Sequence, residues 1–168
     1  MKGIIRTATA ALALSAGLVA GAAAEEVHLK GILSFLAVGK TYTVDNGRSY
    51  FVGEFSGSYQ DETGSGPFHL ATFVCPGFND IGLAAGGYCT ARDLAGDQIF
   101  ISWTCGAPDT PPPGAIWGSD CELDWHGGTG KFETVSAKAP YRAVIININP
   151  DGTAPGYAVF DHVATMAD

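Results

Sequence analysis

From residue 25 onward, apolar and polar side chains alternate in short runs that are separated by turn residues. The alternation is clearest at residues 48–60, where Phe51, Phe55 and Tyr59 share one face and glycines lie between them. A period of two residues is typical of a β-strand, and no stretch keeps the spacing of a capped amphipathic helix. The pattern predicts an all-β domain with minimal helix.

The same reasoning predicts strands along the whole of this region. They are expected at residues 26–38, 40–45, 48–60, 67–75, 84–92, 97–104, 119–125, 137–148 and 156–166. Turn chemistry separates them, as in Asp45-Asn46-Gly47, and Pro76-Gly77-Phe78-Asn79 is also interpreted as a turn. Asn-Gly pairs supply the positive φ that tight hairpins need, so neighbouring strands are expected to be antiparallel.

Two features bear on whether these strands form a barrel or a sandwich. Glycines within strands permit the sharp coiling that closes a small sheet. Residues 143–146 and 99–101 are apolar on both faces, as expected for a barrel whose outer wall is covered by loops or another subunit, or for strands buried in a sandwich. We favour a single antiparallel eight-stranded barrel, calycin-like, whose interior is either filled or holds one small ligand.

The amino terminus, residues 1–24, resembles a secretory signal peptide. Lys2 and Arg6 precede an apolar stretch rich in Ala and Leu, and small residues end at Ala24, where cleavage is expected. The apolar run is short for a retained transmembrane anchor. Residues 25–168 then form the barrel domain, in the periplasm or outside the cell, with no membrane insertion after cleavage.

The cysteines agree with export. Cys75, Cys89, Cys105 and Cys121 are even in number and lack the C-x-x-C spacing of a zinc site. In an oxidising compartment they predict two disulfides among three connectivities, and free buried thiols are the alternative. We favour Cys75–Cys89 and Cys105–Cys121, because each pair closes a Gly- or Pro-bearing loop between predicted strands.

Composition and charge exclude several classes of partner. The chain has 168 residues, 46% of them hydrophobic and 15% charged, and a formal charge of −8. Such a composition does not suit a disordered chain. An acidic chain also lacks the basic surface that nucleic acid or anionic lipid requires.

The segment from His126 to Glu133, with sequence His-Gly-Gly-Thr-Gly-Lys-Phe-Glu, is the most specific motif. It does not have the spacing of a phosphate-binding loop. It resembles the Gly-Gly-[Ser/Thr]-Gly-x-Phe turn of the allene oxide cyclase and dirigent barrel families. Gly87-Tyr88-Cys89, residues 93–97 (Asp-Leu-Ala-Gly-Asp) and the late Asp151-Gly152 turn resemble small exported bacterial members of the allene-oxide-cyclase-like group.

The resemblance implies an eight-stranded antiparallel barrel that often associates as a trimer. In those families the barrel binds an apolar or aromatic guest and steers a cyclisation or radical coupling without a cofactor. Orientation of the bound groups is the main physical contribution in that kind of catalysis. Binding of a small apolar ligand and a homo-oligomer, trimer or dimer, are therefore expected.

Candidate site residues are polar or aromatic side chains within apolar strands. The polar candidates are Glu54, His69, Arg92, Arg142 and His162. A lumen-facing Glu54 could act as an acid or base and a lumen-facing Arg142 could bind a carboxylate, although solvent-facing positions are the alternative for each. Tyr50 and Trp103 complete the predicted ligand-binding set, while Trp103, Trp117 and Trp125 are interpreted as core or mouth residues. No metal or cofactor is predicted, and the acidic residues at 120, 122 and 124 suit a solvated face.

Three functional hypotheses follow. The first is an exported, disulfide-stabilised barrel, of no established catalytic activity, that binds a small apolar or amphipathic molecule in its lumen or at its mouth. The second is a cofactor-free cyclase or isomerase that acts in the same lumen. The third is a structural or envelope interaction protein whose barrel is filled.

Overall fold

A computed structural model describes residues 25–166, so the predicted signal peptide lies outside the described residues. Within this range the chain forms nine strands and two single turns of 3₁₀ helix, at Asp45–Gly47 and Gly130–Phe132. The strands are β1 (Glu25–Val44), β2 (Arg48–Asp61), β3 (Thr72–Val74), β4 (Pro76–Asp80), β5 (Ala84–Arg92), β6 (Gln98–Cys105), β7 (Trp117–Gly128), β8 (Lys138–Ile145) and β9 (Ala154–Met166). In the described part of the chain, no helix has the length and apolar character needed to span a bilayer.

The strands close into an eight-stranded antiparallel barrel, which confirms the predicted fold class. Each strand from β5 to β9 pairs with its neighbour in sequence, and β1 pairs with both β2 and β9 to close the sheet. Both β3 and β4 lie between β2 and β5. The two strands keep the same register against β2, and between them the Phe55 N–H donates to the Cys75 carbonyl at 2.9 Å. Together β3 and β4 therefore occupy a single strand position in the barrel.

Three predicted strand boundaries are wrong. The two strands predicted at 26–38 and 40–45 form one continuous strand, β1, in which Gly39 pairs with Gly53 of β2. The strand predicted at 67–75 begins at Thr72, because residues 67–70 turn. The turn predicted at 76–79 is instead strand β4, since hydrogen bonding from β2 and β5 on either side overrides the local turn preference of Pro76-Gly77.

The β1–β2 hairpin turns where Asn-Gly chemistry predicted it. Asn46 and Gly47 have φ angles of 55° and 82°. Two successive residues at positive φ match the twist of the flanking strands, which is why Asn-Gly is favoured there. The hairpin brings the aromatic face of β2 alongside β1.

The two predicted disulfides, Cys75–Cys89 and Cys105–Cys121, are present. Both join adjacent strands from the lumen side, and Cys105 and Cys121 are direct register partners. Cross-links of this kind reduce the freedom of the unfolded chain and commonly stabilise a fold by about 2–4 kcal/mol each. They hold the β3–β4 position and the β6–β7 hairpin in place.

Odd-numbered side chains of β1, β2, β7 and β8 and even-numbered side chains of β9 point into the lumen, and the residues that alternate with them point outward. Phe68, Phe132 and Val135, from the turns that follow β2 and β7, are at most 2% exposed and close one end of the barrel. The rings of Phe68 and Phe132 stack at 4.9 Å. We call this end the closed end.

The outer wall is covered in one place by the Pro-rich segment between β6 and β7. Arg142, on the outer face of β8, binds Asp109 of this segment at 2.8 Å and Asp120 of β7 at 2.9 Å. Asp109 N–H also donates to the Gly118 carbonyl at 3.0 Å. Val144 points outward and is the register partner of Gly118, and because the segment covers this part of the wall it is only 1% exposed. This coverage explains why residues 143–146 are apolar on both faces.

Elsewhere the outer wall carries exposed apolar side chains. They include Ile32, Leu36 and Val38 on β1 and Val159 and Val163 on β9. A loop therefore covers part of the wall, as one interpretation of the sequence expected, and another part is exposed in the single chain.

Large aromatic rings fit inside the lumen because glycines occupy neighbouring positions on the adjacent strands. Gly87 on β5 pairs with Trp103 on β6 and with Gly77 on β4. The indole of Trp103 consequently lies across Gly77, where an added Cβ would be 2.6 Å from Trp103 Cζ2 and from the Gly86 carbonyl oxygen. A side chain at Gly77 would displace either the indole or the backbone.

Gly77→Ala is expected to destabilise the protein by about 1–3 kcal/mol, because the extra methyl overpacks the lumen at Trp103. The free energy of unfolding from urea titration measures the effect. Gly106→Ala is the matched control, since the nearest atom to its added Cβ is 4.0 Å away. Equal stability of the two variants would contradict this account of the glycine.

Candidate ligand-binding site

The lumen contains an apolar cavity of about 90 Å³. Leu29, Phe68 and Trp125 line it near the closed end, and Trp117 and Ile145 line it towards the other end. Its walls are almost entirely hydrocarbon and aromatic. The cavity can hold a small guest, although it is smaller than the several hundred Å³ of a drug-sized pocket.

Polar groups without partners line this apolar cavity. Within the described part of the chain, the indole nitrogens of Trp103, Trp117 and Trp125 and both ring nitrogens of His162 are buried and make no hydrogen bond. More than nine-tenths of buried polar groups in proteins have a partner. Several unpaired groups around one cavity therefore make it the candidate site of this chain.

His162 lies close to Trp125 near the closed end. It is 8% exposed, and its ring packs edge-on against Trp125 with centroids 5.8 Å apart. Burial lowers the pKa of His162 to about 4, and the nearby His28 adds to this while Asp161 opposes it. The imidazole is therefore neutral at pH 7, with one nitrogen as donor and the other as acceptor.

Two tyrosines also line the cavity. Tyr141 is a lumen residue whose hydroxyl is 3.8 Å from Cys105 Sγ, and Tyr59 donates to Asp61 at 3.3 Å. Burial raises the pKa of both phenols, and the Asp61 carboxylate raises that of Tyr59 further. Both phenols are therefore protonated and uncharged at neutral pH.

Of the four predicted ligand-binding residues, the structure places Trp103 in the lumen and the others on the outer wall. Tyr50 stacks on Phe78 outside the barrel at 5.7 Å. The hypothesis that Glu54 and Arg142 face the lumen is wrong. Glu54 alternates with the inward Phe51 and Phe55 and is exposed, accepting a hydrogen bond from Ser56, while Arg142 binds the Pro-rich segment.

The other polar candidates are divided between turns and lumen. His69 Nδ1 accepts a hydrogen bond from the Asp61 N–H at 3.2 Å in the turn after β2, and Arg92 is exposed at the end of β5. His162 is the member of this set that reaches the cavity, judged within residues 25–166. In the same range no cluster of His, Cys, Asp or Glu is suited to hold a metal ion.

Trp117, Trp125 and His162 lie outside the predicted ligand-binding set, although His162 is one of the polar candidates and both tryptophans are predicted as core or mouth residues. The sequence feature that identifies them is the alternation of inward and outward positions along each strand. Trp117 and Trp125 occupy odd positions of β7 with the lumen-facing Cys121, and His162 has the same phase as Ala158 on β9. The same rule, applied to Phe51 and Phe55, would have placed Glu54 outside.

The Gly-Gly-Thr-Gly-Lys-Phe motif closes the barrel end. The Thr129 N–H donates to the Gln98 carbonyl at 2.8 Å. In return, the Thr129 hydroxyl accepts a hydrogen bond from the Gln98 N–H at 2.9 Å. Gly130 has φ of 54°, and an added Cβ would lie within 2.6 Å of Asp97. Phe132 is thereby inserted into the core, so the motif has a structural role in this chain.

Asp93, the first residue of the Asp-Leu-Ala-Gly-Asp segment, fixes the same end. Its carboxylate accepts hydrogen bonds from Gly96 N–H at 2.8 Å and Asp97 N–H at 2.9 Å and binds Lys131 Nζ at 2.5 Å. Burial alone would raise its pKa, but the hydrogen bonds from Lys131 and the two backbone N–H groups outweigh burial and lower the pKa. The two sequence motifs are thus joined by one ion pair.

No protein-family model matches the chain, and no curated protein or solved structure is significantly similar to it. The resemblance to allene-oxide-cyclase-like barrels therefore remains a prediction from the motifs.

Asp93→Asn is expected to destabilise the protein by about 2 kcal/mol at neutral pH, because it weakens the buried acceptor for three donors. Since the pKa of Asp93 is lower in the folded chain than its ordinary 3.8, the ionised carboxylate stabilises the fold above that pH. This contribution is lost as the pH falls through the folded-state pKa. Urea titrations at about pH 7 and about pH 2 should therefore show the gap between wild type and variant closing in acid.

Glu122→Gln is the control, because Glu122 forms an exposed pair with Lys138 at 3.1 Å. Such surface pairs contribute about 0–1 kcal/mol. A gap between wild type and Asp93→Asn that is the same at both pH values would count against the role of the ionised carboxylate.

Proposed function

We propose that the protein is an exported, disulfide-stabilised barrel that binds a small apolar or amphipathic molecule in its lumen. The observation that carries this proposal is the apolar cavity of about 90 Å³ lined by buried ring nitrogens without partners. A purely structural core would be expected to pair or exclude such groups. A guest that enters the cavity can supply both apolar contact and hydrogen bonds.

Export rests on the signal-peptide pattern together with the disulfides. All four cysteines are paired in the described structure. Disulfides persist in oxidising compartments and are rare in the cytosol. The periplasm or the cell exterior is therefore the proposed location.

The chemistry of the lumen favours binding over acid–base catalysis. Catalytic acids and bases work best with pKa values near the working pH. The pKa of His162 lies well below that range, and those of Tyr59 and Tyr141 lie above their ordinary value. Among the described cavity-lining residues there is no carboxylate, lysine or arginine. A cyclase in this lumen would depend on orienting its substrate.

The third hypothesis, a structural protein with a filled barrel, is less well supported because the lumen is not completely filled. The exposed apolar side chains of β1 and β9 are compatible with a homo-oligomer. Self-association is independent of what the lumen holds, and it remains a prediction.

Native mass spectrometry of the protein purified from its own host tests the binding proposal. We expect wild type to carry a small additional mass that denaturation releases. Ala158→Leu places a larger side chain in the cavity and should reduce that occupancy about tenfold or more. A bare protein mass for wild type would contradict the proposal.

Val159→Leu is the matched control for this substitution. Val159 is the next residue along β9, points outward and is 42% exposed. It should retain the bound mass. Thermal unfolding of all three proteins shows whether a loss of binding reflects a loss of folding.

A further inference from the structure

The residues that line the cavity extend along the barrel axis. Its lining residues on β7 extend from Trp117 to Trp125, eight positions apart. At about 3.3 Å per residue, and with the strand tilt of about 40° that is usual in such barrels, this corresponds to about 20 Å along the axis. A compact cavity of about 150 Å³ is known to bind benzene. A cavity of about 90 Å³ whose lining residues extend over this length suits an extended hydrocarbon chain better than a compact ring.

The polar groups differ along the length of the cavity. Trp103 and Trp117 offer N–H donors only. Near the closed end, the neutral His162 offers a donor and an acceptor beside the N–H donor of Trp125. A hydroxyl group can donate to the acceptor nitrogen of His162 and accept from the N–H of Trp125, so one group makes a hydrogen bond with each ring.

Other oxygen-bearing head groups match these rings less well. A ketone or aldehyde can only accept hydrogen bonds, so it has no donor for the acceptor nitrogen of His162. A carboxylate brings a charge into an apolar cavity in which no described lining residue is a lysine or arginine. An alkane leaves every ring nitrogen unpaired.

We propose that the lumen binds an uncharged, unbranched primary alcohol, with its hydroxyl held between His162 and Trp125 and its chain directed towards Trp117. This inference rests on the proposed lumen-binding function and names the class of ligand. The hydrocarbon chain contacts the apolar wall, and the hydroxyl gives the selectivity. The closed end formed by Phe68 and Phe132 sets the depth of the head group.

The test compares three probes of equal chain length, 1-hexanol, n-hexane and hexanoate, by calorimetric titration at neutral pH. Tryptophan fluorescence provides a second readout, because three indoles line the cavity. We expect 1-hexanol to bind about tenfold more tightly than n-hexane and hexanoate. The hydrophobic effect alone would favour n-hexane, so this order would be a signature of the hydroxyl contacts.

His162→Phe and Trp125→Phe each keep a ring but remove the hydrogen-bonding nitrogens. Each should weaken 1-hexanol binding about tenfold and leave n-hexane binding unchanged or stronger. His126→Phe is the matched control, because His126 is on the outer face of β7, where Nε2 is 2.8 Å from Ser102 Oγ. Thermal unfolding confirms that each variant is folded, and Trp125→Phe serves alone if His162→Phe is not.

The outcomes separate this inference from the function on which it rests. If n-hexane or hexanoate binds wild type as tightly as 1-hexanol, or if the preference survives in both variants, the alcohol site is wrong although the lumen binds chains. If none of the three probes binds, the inference fails, and so does any proposal that the lumen accepts small apolar chains.

Discussion

The barrel depends on how large aromatic rings fit inside a small closed sheet. Eight strands enclose a space just wide enough for side chains to fill. In this chain Phe35 on β1 has Gly57 and Gly156 as its register partners on the two sides, and Trp103 lies over Gly77. A ring is accommodated where its neighbours have no side chain, so the glycines determine where each ring lies and how much space remains between the rings.

That arrangement also determines the chemistry of the interior. The ion pairs that hold loops in place lie outside the lumen. Asp93–Lys131 lies at the closed end, and Arg142–Asp109 lies on the outer wall. The cavity itself is lined by aromatic and aliphatic groups together with uncharged ring nitrogens. Shape and hydrogen bonds to neutral groups are therefore what such a cavity offers to a guest, and this is why the guest that we propose is small and uncharged.

Particular residues show how far sequence reasoning reaches. The alternation of Phe51, Phe55 and Tyr59 assigns the inner face of β2 correctly, and the even position of Glu54 selects the solvent-facing alternative for this candidate residue. Nothing in the local sequence indicates that Arg142 holds down the Pro-rich segment. That contact joins residues more than thirty positions apart, and it exists because the barrel brings β8 beside the start of β7.

By itself, the sequence determined the all-β class, the phase of the clearest strands, the Asn-Gly hairpin and the pairing of the cysteines. These follow from local rules, namely side-chain alternation, the positive φ of turns and the spacing of cysteines between strands. Tertiary structure alone decided that Pro76–Asp80 is a strand and that Trp117, Trp125 and His162 line one cavity. The reason is that hydrogen bonds from neighbouring strands can override a local turn preference. A cavity, likewise, is the space left after distant strands have closed on one another.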